Sequence, residues 1–527
     1  MESPRDDVHK DVMVDKVDVS HNEDALREAD RQMSPLECLR QNPKIALWTL
    51  YANSKNVRPI VGSTLVGYEN LALSVCLAMP AFQMTFASEV NGQLIIPAYW
   101  QSAWNAMYNT MMFFGSFTAG YVQDWFGRRA VIAMAVVVAS AGIAISFVSE
   151  TPAQFLGGKI VTGFSVGLFT TTTQTYVSEI APLPIRGIAL SVNTIMLNLG
   201  FLIAISSSFS RVPIMDKSAF RVVFAAAWTF PTILAAGLPF LPESPTWLVI
   251  KNRHEDARKS LQRLSGPHED IDARLGQIID NVEAERRLAA EAASFVECFR
   301  GTNWRRTRII LICFYIPQVV GAVLSSNAPY FLNQTGLESH TVLMLVQVGI
   351  AAGVVSAVGN AFLMMRFRHR PLMFAGIGFC VALYLAMGIA ASFPKTQASL
   401  LAIGVSLIFT SVSYGPAVGA SMAVAGEVSA SKLRAKSLGI GVAFSSFVST
   451  IWTIILPYLF NSDQLNMGGH IGWIFFVMGV LMLVVLYFDV PGTKGRTFEE
   501  LDIMFELGIS ARRFEKHQLN EGPVDTK

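Results

Sequence analysis

The stretch Gly120–Arg129, GYVQDWFGRR, is short and charged and lies between two long apolar runs, Trp100–Ala119 and Ala130–Val148. Each run has close to the ~20 residues that a helix needs to cross a bilayer. Because hydrocarbon offers no partners for backbone polar groups, both runs are predicted to be helices. The turn between them therefore lies at a membrane surface, and its paired arginines predict that this surface is cytoplasmic.

Charged motifs recur at nearly one spacing along the chain. Tyr176–Gly187 reads YVSEIAPLPIRG and Gly426–Lys436 reads GEVSASKLRAK, and in each a glutamate precedes an arginine by seven residues. From Glu179 to Glu427 the offset is 248 residues. The Gly127–Arg129 turn has a weaker partner, RHR, which follows it after 241 residues. The chain is therefore predicted to consist of two similar halves.

Composition supports a membrane protein. The 527 residues are 52% hydrophobic and only 15% charged, which is less charge than a soluble protein of this size carries. A net charge of +2 gives no reason to expect a nucleic-acid partner. The five cysteines show no metal-ligand spacing, so free thiols, no metal site and no cofactor are expected. The polar first 42 residues show no signal peptide, so the first membrane helix is expected to serve as the targeting signal.

About twelve apolar spans follow one another along the chain. The predicted fold is an all-α membrane protein with about twelve transmembrane helices in two pseudo-symmetric six-helix bundles. The predicted parts are a cytoplasmic tail at 1–42, a first bundle at 43–241, a cytoplasmic linker with short amphipathic helices at 242–308, a second bundle at 309–489 and a cytoplasmic tail at 490–527.

Lysine and arginine set the predicted orientation. They concentrate in the short loops on the side of Arg128 and Arg129, and few stand in the loops opposite. Both termini are therefore expected in the cytoplasm, and the plasma membrane is the expected location. The sequon at Asn333, NQT, falls on the outer side and close to the membrane, which makes it a weak glycosylation candidate.

The signature stretches resemble a known family. GYVQDWFGRR, YVSEIAPLPIRG, LPESPTWLV and VPGTKGRTFEELD resemble motifs of the sugar-porter family within the major facilitator superfamily. NPKIALW and IPAYWQSAWNA look more like the fungal α-glucoside (maltose-type) permeases. The resemblance covers about residues 42–506 and implies alternating-access transport of a sugar or glycoside.

The resemblance implies a cytoplasmic gate formed by charged residues of both halves. Opposed charges near helix ends would bias the rocking of one half against the other. The alternative is that these charges only set topology and anchor helix ends. The gate residues implied are Asp124, Arg128, Arg129, Glu179 and Arg186 in the first half and Glu427 and Arg434 in the second.

An acidic residue in the first span is the candidate for proton coupling. Glu69 lies mid-span, where a charge is costly unless it is paired or faces water. The resemblance implies a basic partner in the fourth helix, which is Lys159 here. A carboxylate that takes up and releases a proton as it leaves and meets a cation is the minimal symport device. The alternative is a structural ion pair in a uniporter.

The sugar site implied by the resemblance departs from the family pattern. The positions expected to hold amides or aromatic rings are Asn193, Thr194, Gln318, Asn327, Tyr330 and Met422. Several of them carry less polar side chains than the family does, which favours a less polar ligand. Efflux or uptake of a less polar metabolite on the same fold is therefore the alternative function.

Two further classes are disfavoured by the residues. A nutrient sensor would have a long signalling tail, but fewer than 40 residues follow the last span. An enzyme would need a clustered nucleophile, metal ligands or a cofactor loop, and the eight histidines are scattered. The sequence therefore predicts a secondary transporter whose partners are the lipid bilayer, a proton and a small-molecule substrate.

Overall fold

The structure is a computed structural model that describes residues 60–90, 93–180, 183–264, 270–290, 295–429, 433–493 and 498–514. The predicted tail at 1–42, Cys38 and the end of the C-terminal tail lie outside the described residues.

The first half is a bundle of long helices. α3 begins after Pro97, and a tight turn at Gly127 separates it from α4. The elements are α1 (Ile60–Leu77), α2 (Pro80–Phe86), β1 (Ser88–Val90), β2 (Gln93–Ile95), α3 (Ala98–Phe126), α4 (Arg128–Val148), α5 (Pro152–Ile180), α6 (Leu183–Phe209), α7 (Ser218–Ala227), α8 (Thr229–Gly237) and a 3₁₀ turn (Leu238–Phe240).

The first span is bent at its end. α1 and α2 meet at 79°, at the point where Pro80 starts α2. The chain then turns in a small antiparallel hairpin in which Glu89 pairs with Leu94. This hairpin departs from the predicted all-helical fold, and it leads the chain from α2 into α3.

The second half repeats the bundle. It is preceded by the linker elements α9 (Pro245–Ile250), α10 (His254–Leu264), α11 (Ile271–Ala290) and a 3₁₀ turn (Phe295–Phe299). The elements of the second half are α12 (Gly301–Val319), α13 (Ala322–Ser326), α14 (Ala328–Thr335), α15 (Ser339–Arg366), α16 (His369–Ala391), α17 (Gln397–Tyr414), a π turn (Gly415–Gly419), α18 (Ala420–Val428), α19 (Arg434–Phe460), a 3₁₀ turn (Gly468–His470) and α20 (Ile471–Asp489).

Two predicted spans of the second half are interrupted. Pro317 lies near the end of α12, and Gly321 takes a left-handed conformation with φ of 82° before α13. The freed carbonyl of Val320 accepts a hydrogen bond from the Tyr384 hydroxyl at 2.8 Å. Pro416 lies in the π turn between α17 and α18. Proline removes a helix hydrogen bond, so both breaks have a local cause.

Among the described residues, eight helices are long and apolar enough to cross a membrane, and the bent α1–α2 pair makes up to nine. α3, α5 and α6, with 29, 29 and 27 residues, are long enough to span by length. Together these are the twelve predicted spans, so the fold class is confirmed.

The linker and the C-terminal segment both contain packed helices. α9, α10 and α11 pack around a small core of Trp247, Leu248, Val249, Ala257 and Val282. α11 has 20 residues and is therefore longer than the short helices predicted for the linker. α21 (Phe498–Glu506) and a 3₁₀ turn (Ala511–Arg513) fold back on α12. Arg306 pairs with Asp502 there and lies 4.6 Å from the centre of the Phe505 ring. The predicted tail is therefore partly a packed helical segment.

Candidate substrate cavity and coupling pair

A cavity lies between the two halves, and both halves line it. Its volume is about 190 Å³, which is below the range of about 300–1,000 Å³ for small-molecule sites, so the cavity is small in this conformation. Its lining residues are Glu69, Asn70, Leu73, Asn105, Tyr108, Asn109, Met112 and Lys159 from the first half and Ala322, Val323, Ser326, Asn327, Ser449 and Thr453 from the second.

The two coupling candidates meet in the wall of this cavity. The Lys159 Nζ atom on α5 lies 3.1 Å from the Glu69 Oε2 atom on α1, and each side chain is 2% exposed. A buried charge is tolerated when an opposite charge compensates it. The geometry thus brings together a carboxylate and an ammonium group from two different helices, while their role in coupling stays a prediction.

Aromatic rings enclose the Lys159 ammonium group on its other sides. Its Nζ atom lies 5.6 Å from the centre of the Tyr108 ring and 5.7 Å from those of Phe155 and Phe224. Each ring face attracts a cation. Four groups therefore surround the Lys159 Nζ atom: the Glu69 carboxylate and three aromatic rings.

Three asparagines of the first half line the cavity, and none of them is among the predicted substrate residues. Asn105 and Asn109 stand one turn apart on α3, and Asn70 follows Glu69 on α1. The signal was present in WQSAWNAMYN, where amides recur every four residues in an apolar run. Amides of α1 and α3 therefore line the cavity in addition to Asn327, which the resemblance implied.

The predicted substrate residues fall in different places. Asn327 lines the cavity as expected. Gln318 is buried and lies outside the lining, and Met422 packs half-buried against the core. Asn193 and Thr194 lie in α6, but their side chains are outside the described part of the structure.

Tyr330 has a different place from the one predicted. It is 1% exposed, donates to the Asn461 Oδ1 atom at 2.9 Å and accepts from Gln101 at 3.1 Å. Asn461 donates to the Ile96 carbonyl at 2.9 Å. Tyr330 therefore belongs to a buried network that joins the two halves at the end of the bundle opposite the charged turn.

The charged turn of the first half forms a connected cluster. The Arg128 guanidinium donates to Glu179 at 2.6 Å and to the Gln123 carbonyl at 3.0 Å. Glu243, absent from the predicted gate, accepts from the Arg128 backbone N–H at 2.9 Å. A Cβ atom at Gly127, where φ is 90°, would lie 2.5 Å from Glu243 Oε2. Glycine is thus required where the turn passes this carboxylate.

The second half repeats this pair with a histidine. His369 is the first residue of α16, as Arg128 is of α4, and its Nε2 atom lies 3.3 Å from Glu427 Oε1. Glu427 precedes the last residue of α18, as Glu179 does in α5. The sequence repeat therefore corresponds to one structural arrangement in both halves.

The gate pairs found here join elements of the same half, and contact across the interface stays a prediction. Asp124 is exposed, with a carboxylate oxygen 3.7 Å from Arg128. Arg129 donates to the Leu238 carbonyl at 3.1 Å. Arg434 donates to the Ser429 hydroxyl at 3.1 Å. The side chain of Arg186 is outside the described part.

The sequon at Asn333 is poorly presented for glycosylation. Its amide nitrogen, which a glycan would modify, donates to the Ser339 hydroxyl at 2.9 Å. Thr335 is buried and its hydroxyl donates to the Leu332 carbonyl at 2.7 Å. The weak candidate is therefore disfavoured in this conformation, because neither group is available to an enzyme.

Replacing Glu243 is expected to destabilise the charged cluster. Its carboxylate accepts from the first two backbone N–H groups of α4, so Glu243→Ala removes a helix cap worth about 0.5–2 kcal/mol. Thermal unfolding of the solubilised protein measures the loss. The control is Glu150→Ala, an exposed carboxylate 3.2 Å from Lys217. An equal fall in Tm for both variants would show that Glu243 does not cap α4.

A family profile described as "Sugar (and other) transporter" matches residues 55–505, which is most of the chain. The chain belongs to this family. The resemblance seen in the motifs is thereby confirmed, and the chain is an integral, multi-pass membrane protein.

Relatives and solved structures agree with this family of sugar and other transporters. The MFS transporter fmqE of Aspergillus fumigatus is 28% identical over 517 residues, covering 94% of each chain. A general alpha-glucoside permease of Saccharomyces cerevisiae is 28% identical over 516 residues, covering 95% of this chain and 82% of that one. The inward-open xylose transporter XylE from E. coli shares the fold, with a TM-score of 0.67, 20% identity and coverage of 86% of this chain and 99% of that one.

Proposed function

We propose that this protein is a secondary active transporter that takes up a sugar or glycoside together with protons by alternating access. The observation that carries the proposal is the buried Glu69–Lys159 pair, which lies in the wall of a cavity shared by both halves. Glu69 is the group proposed to take up the proton, and Lys159 is the cation that competes with that proton.

The comparisons support the sugar substrate and the proton coupling separately. One relative is a permease for alpha-glucosides, and one structure of XylE is described as that of a proton:xylose symporter. The amides in the cavity support a hydroxylated ligand, because an amide offers both a donor and an acceptor. A transporter rather than an enzyme is the proposed class.

The proposed orientation follows the charges. The cluster at Arg128 and Glu179 faces the cytoplasm, with both termini on that side, and the plasma membrane is the proposed location. The network of Tyr330, Gln101 and Asn461 then lies at the outer end and holds the outer entrance closed in this conformation.

Uptake measurements test the proposal. Labelled maltose, xylose and less polar glycosides are offered to a host that lacks its own carriers, at an acidic and at a neutral external pH. Accumulation against the gradient, with alkalinisation of the medium, is the expected result.

Three other results would contradict the proposal in different ways. Equilibration without proton movement would indicate a uniporter. Transport confined to the less polar compounds would favour the alternative ligand class. Substrate efflux from loaded cells, with no uptake, would reverse the proposed direction.

A further inference from the structure

Three asparagines place a polar surface beside the coupling pair. Asn105 and Asn109 on α3 and Asn70 on α1 line the cavity in which Glu69 and Lys159 also lie. Asn105 and Asn109 share one face of α3, because they stand at positions i and i+4 of the helix. The polar surface therefore belongs to the first half of the transporter.

The hydrogen bonds of these amides leave their oxygen atoms available. The Nδ2 atom of Asn105 donates to the Gln101 carbonyl at 3.1 Å, and that of Asn109 donates to the Thr453 hydroxyl at 3.3 Å. In the part of the chain that the structure describes, no group donates to either Oδ1 atom. Both residues are only partly exposed. A partly exposed amide oxygen without a protein donor is free to accept a hydrogen bond from a ligand hydroxyl in place of water.

We propose that Asn70, Asn105 and Asn109 bind hydroxyl groups of a neutral polyhydroxylated ligand and thereby determine specificity. This inference rests on the proposed function and names the residues and ligand chemistry within it. Hydroxyls both donate and accept, and amide side chains match them in both respects.

The charges of the cavity favour a neutral ligand. Glu69 and Lys159 are the charged residues among those that line it in the described chain, and they neutralise each other at 3.1 Å. A charged ligand would find no surplus opposite charge there. Leu73 and Val323 add apolar surface for the C–H groups of a sugar ring. Hydroxyl recognition therefore falls to the amides.

The test compares Asn105→Leu and Asn109→Leu with the wild type. KM and maximal uptake rate are measured for maltose and xylose and for their monodeoxy forms. Loss of a ligand hydrogen bond is expected to raise KM for the parent sugar on the order of tenfold to a hundredfold. Each variant is expected to stop distinguishing the parent from the analogue that lacks the hydroxyl it binds.

A matched control is available on the same helix. Thr118 on α3 donates to the Phe114 carbonyl one turn back and does not line the cavity. Thr118→Val therefore removes a polar group from α3 without touching the proposed site, and its KM values are expected to match those of the wild type.

The outcomes separate this inference from the proposed function. The inference alone is overturned if the wild type transports sugars and the leucine variants keep both its KM and its discrimination between parent and monodeoxy sugars. Wild type that neither transports nor binds any sugar of the panel overturns both. Should a leucine variant fail to reach the membrane, Asn105→Ser and Asn109→Ser are measured instead. A smaller rise in KM in the same direction is then expected, and its absence overturns the inference.

Discussion

Glu69→Gln is expected to abolish concentrative, pH-dependent uptake and to leave exchange of substrate down its gradient intact. Glutamine keeps the shape of the side chain but cannot exchange a proton, so the carrier loses the link between proton and substrate. Substrate-induced alkalinisation of the medium, measured in cells with wild type or variant, is the decisive readout.

Replacing Lys159 is expected to lower the stability of the protein as well as its coupling to protons. Lys159→Met leaves the Glu69 carboxylate buried without its cation, and breaking a buried ion pair costs about 3–5 kcal/mol. Adding Glu69→Gln removes the lone charge, so the double variant is expected to recover most of the stability and none of the coupling. Thermal unfolding measures the first effect and proton movement measures the second.

Two results would contradict this view of the pair. Wild type that moves no protons and accumulates no substrate would leave Glu69 and Lys159 with a structural role. A Glu69→Gln variant that still concentrates substrate would place the proton on another group. Glu150→Gln, at an exposed carboxylate, serves as the control and is expected to transport like the wild type.

Gly167→Ala is expected to disrupt the packing of α3 against α5, whereas Gly157→Ala is not. A Cβ atom at Gly167 would lie 2.1 Å from the Met112 carbonyl oxygen and 2.7 Å from the Ser116 nitrogen, both backbone atoms. Nothing lies within 4 Å of a Cβ atom at Gly157 on the same helix. Overpacking costs about 1–3 kcal/mol and occasionally more.

The two glycine variants are expected to change stability in opposite directions. In a helix interior, alanine in place of glycine stabilises by about 0.5–1 kcal/mol when space allows, so Gly157→Ala should raise Tm slightly. Gly167→Ala should lower Tm and impair uptake, because α3 carries Asn105 and α5 carries Lys159. A Gly167→Ala variant with the Tm and transport of the wild type would show that the two helices separate without cost.

Much of the fold could be predicted from local sequence. The span predicted at Ala130–Val148 is observed as Arg128–Val148, and the one predicted at Trp100–Ala119 lies within the helix Ala98–Phe126. A membrane helix satisfies its own backbone, so an apolar run of sufficient length determines a helix without knowledge of its neighbours. The breaks near Gly321 and Pro416 were missed, because an apolar run shows where a span lies and not whether it is continuous.

The ion pair shows where local sequence stops being sufficient. The cost of a buried charge marks Glu69 as requiring a partner, and that follows from its position in the span alone. Lys159 was named through the family resemblance, since 90 residues separate the two positions. The aromatic rings around Lys159 come from three helices. Their contact with Lys159 could not be predicted from the sequence of any one of these helices.

By itself the sequence determined the helices, the two-half repeat and the need to compensate Glu69, because each depends on residues close together in the chain or on the repeat itself. Only the tertiary structure decided that Tyr330 joins a hydrogen-bond network between the two halves, that Asn105 and Asn109 line the cavity and that His369 pairs with Glu427. Those outcomes depend on which face each helix turns toward its neighbours. The facing sides of the helices are set by close approach of their backbones at glycines such as Gly167. The pattern of apolar residues along the chain does not show which helices approach each other there.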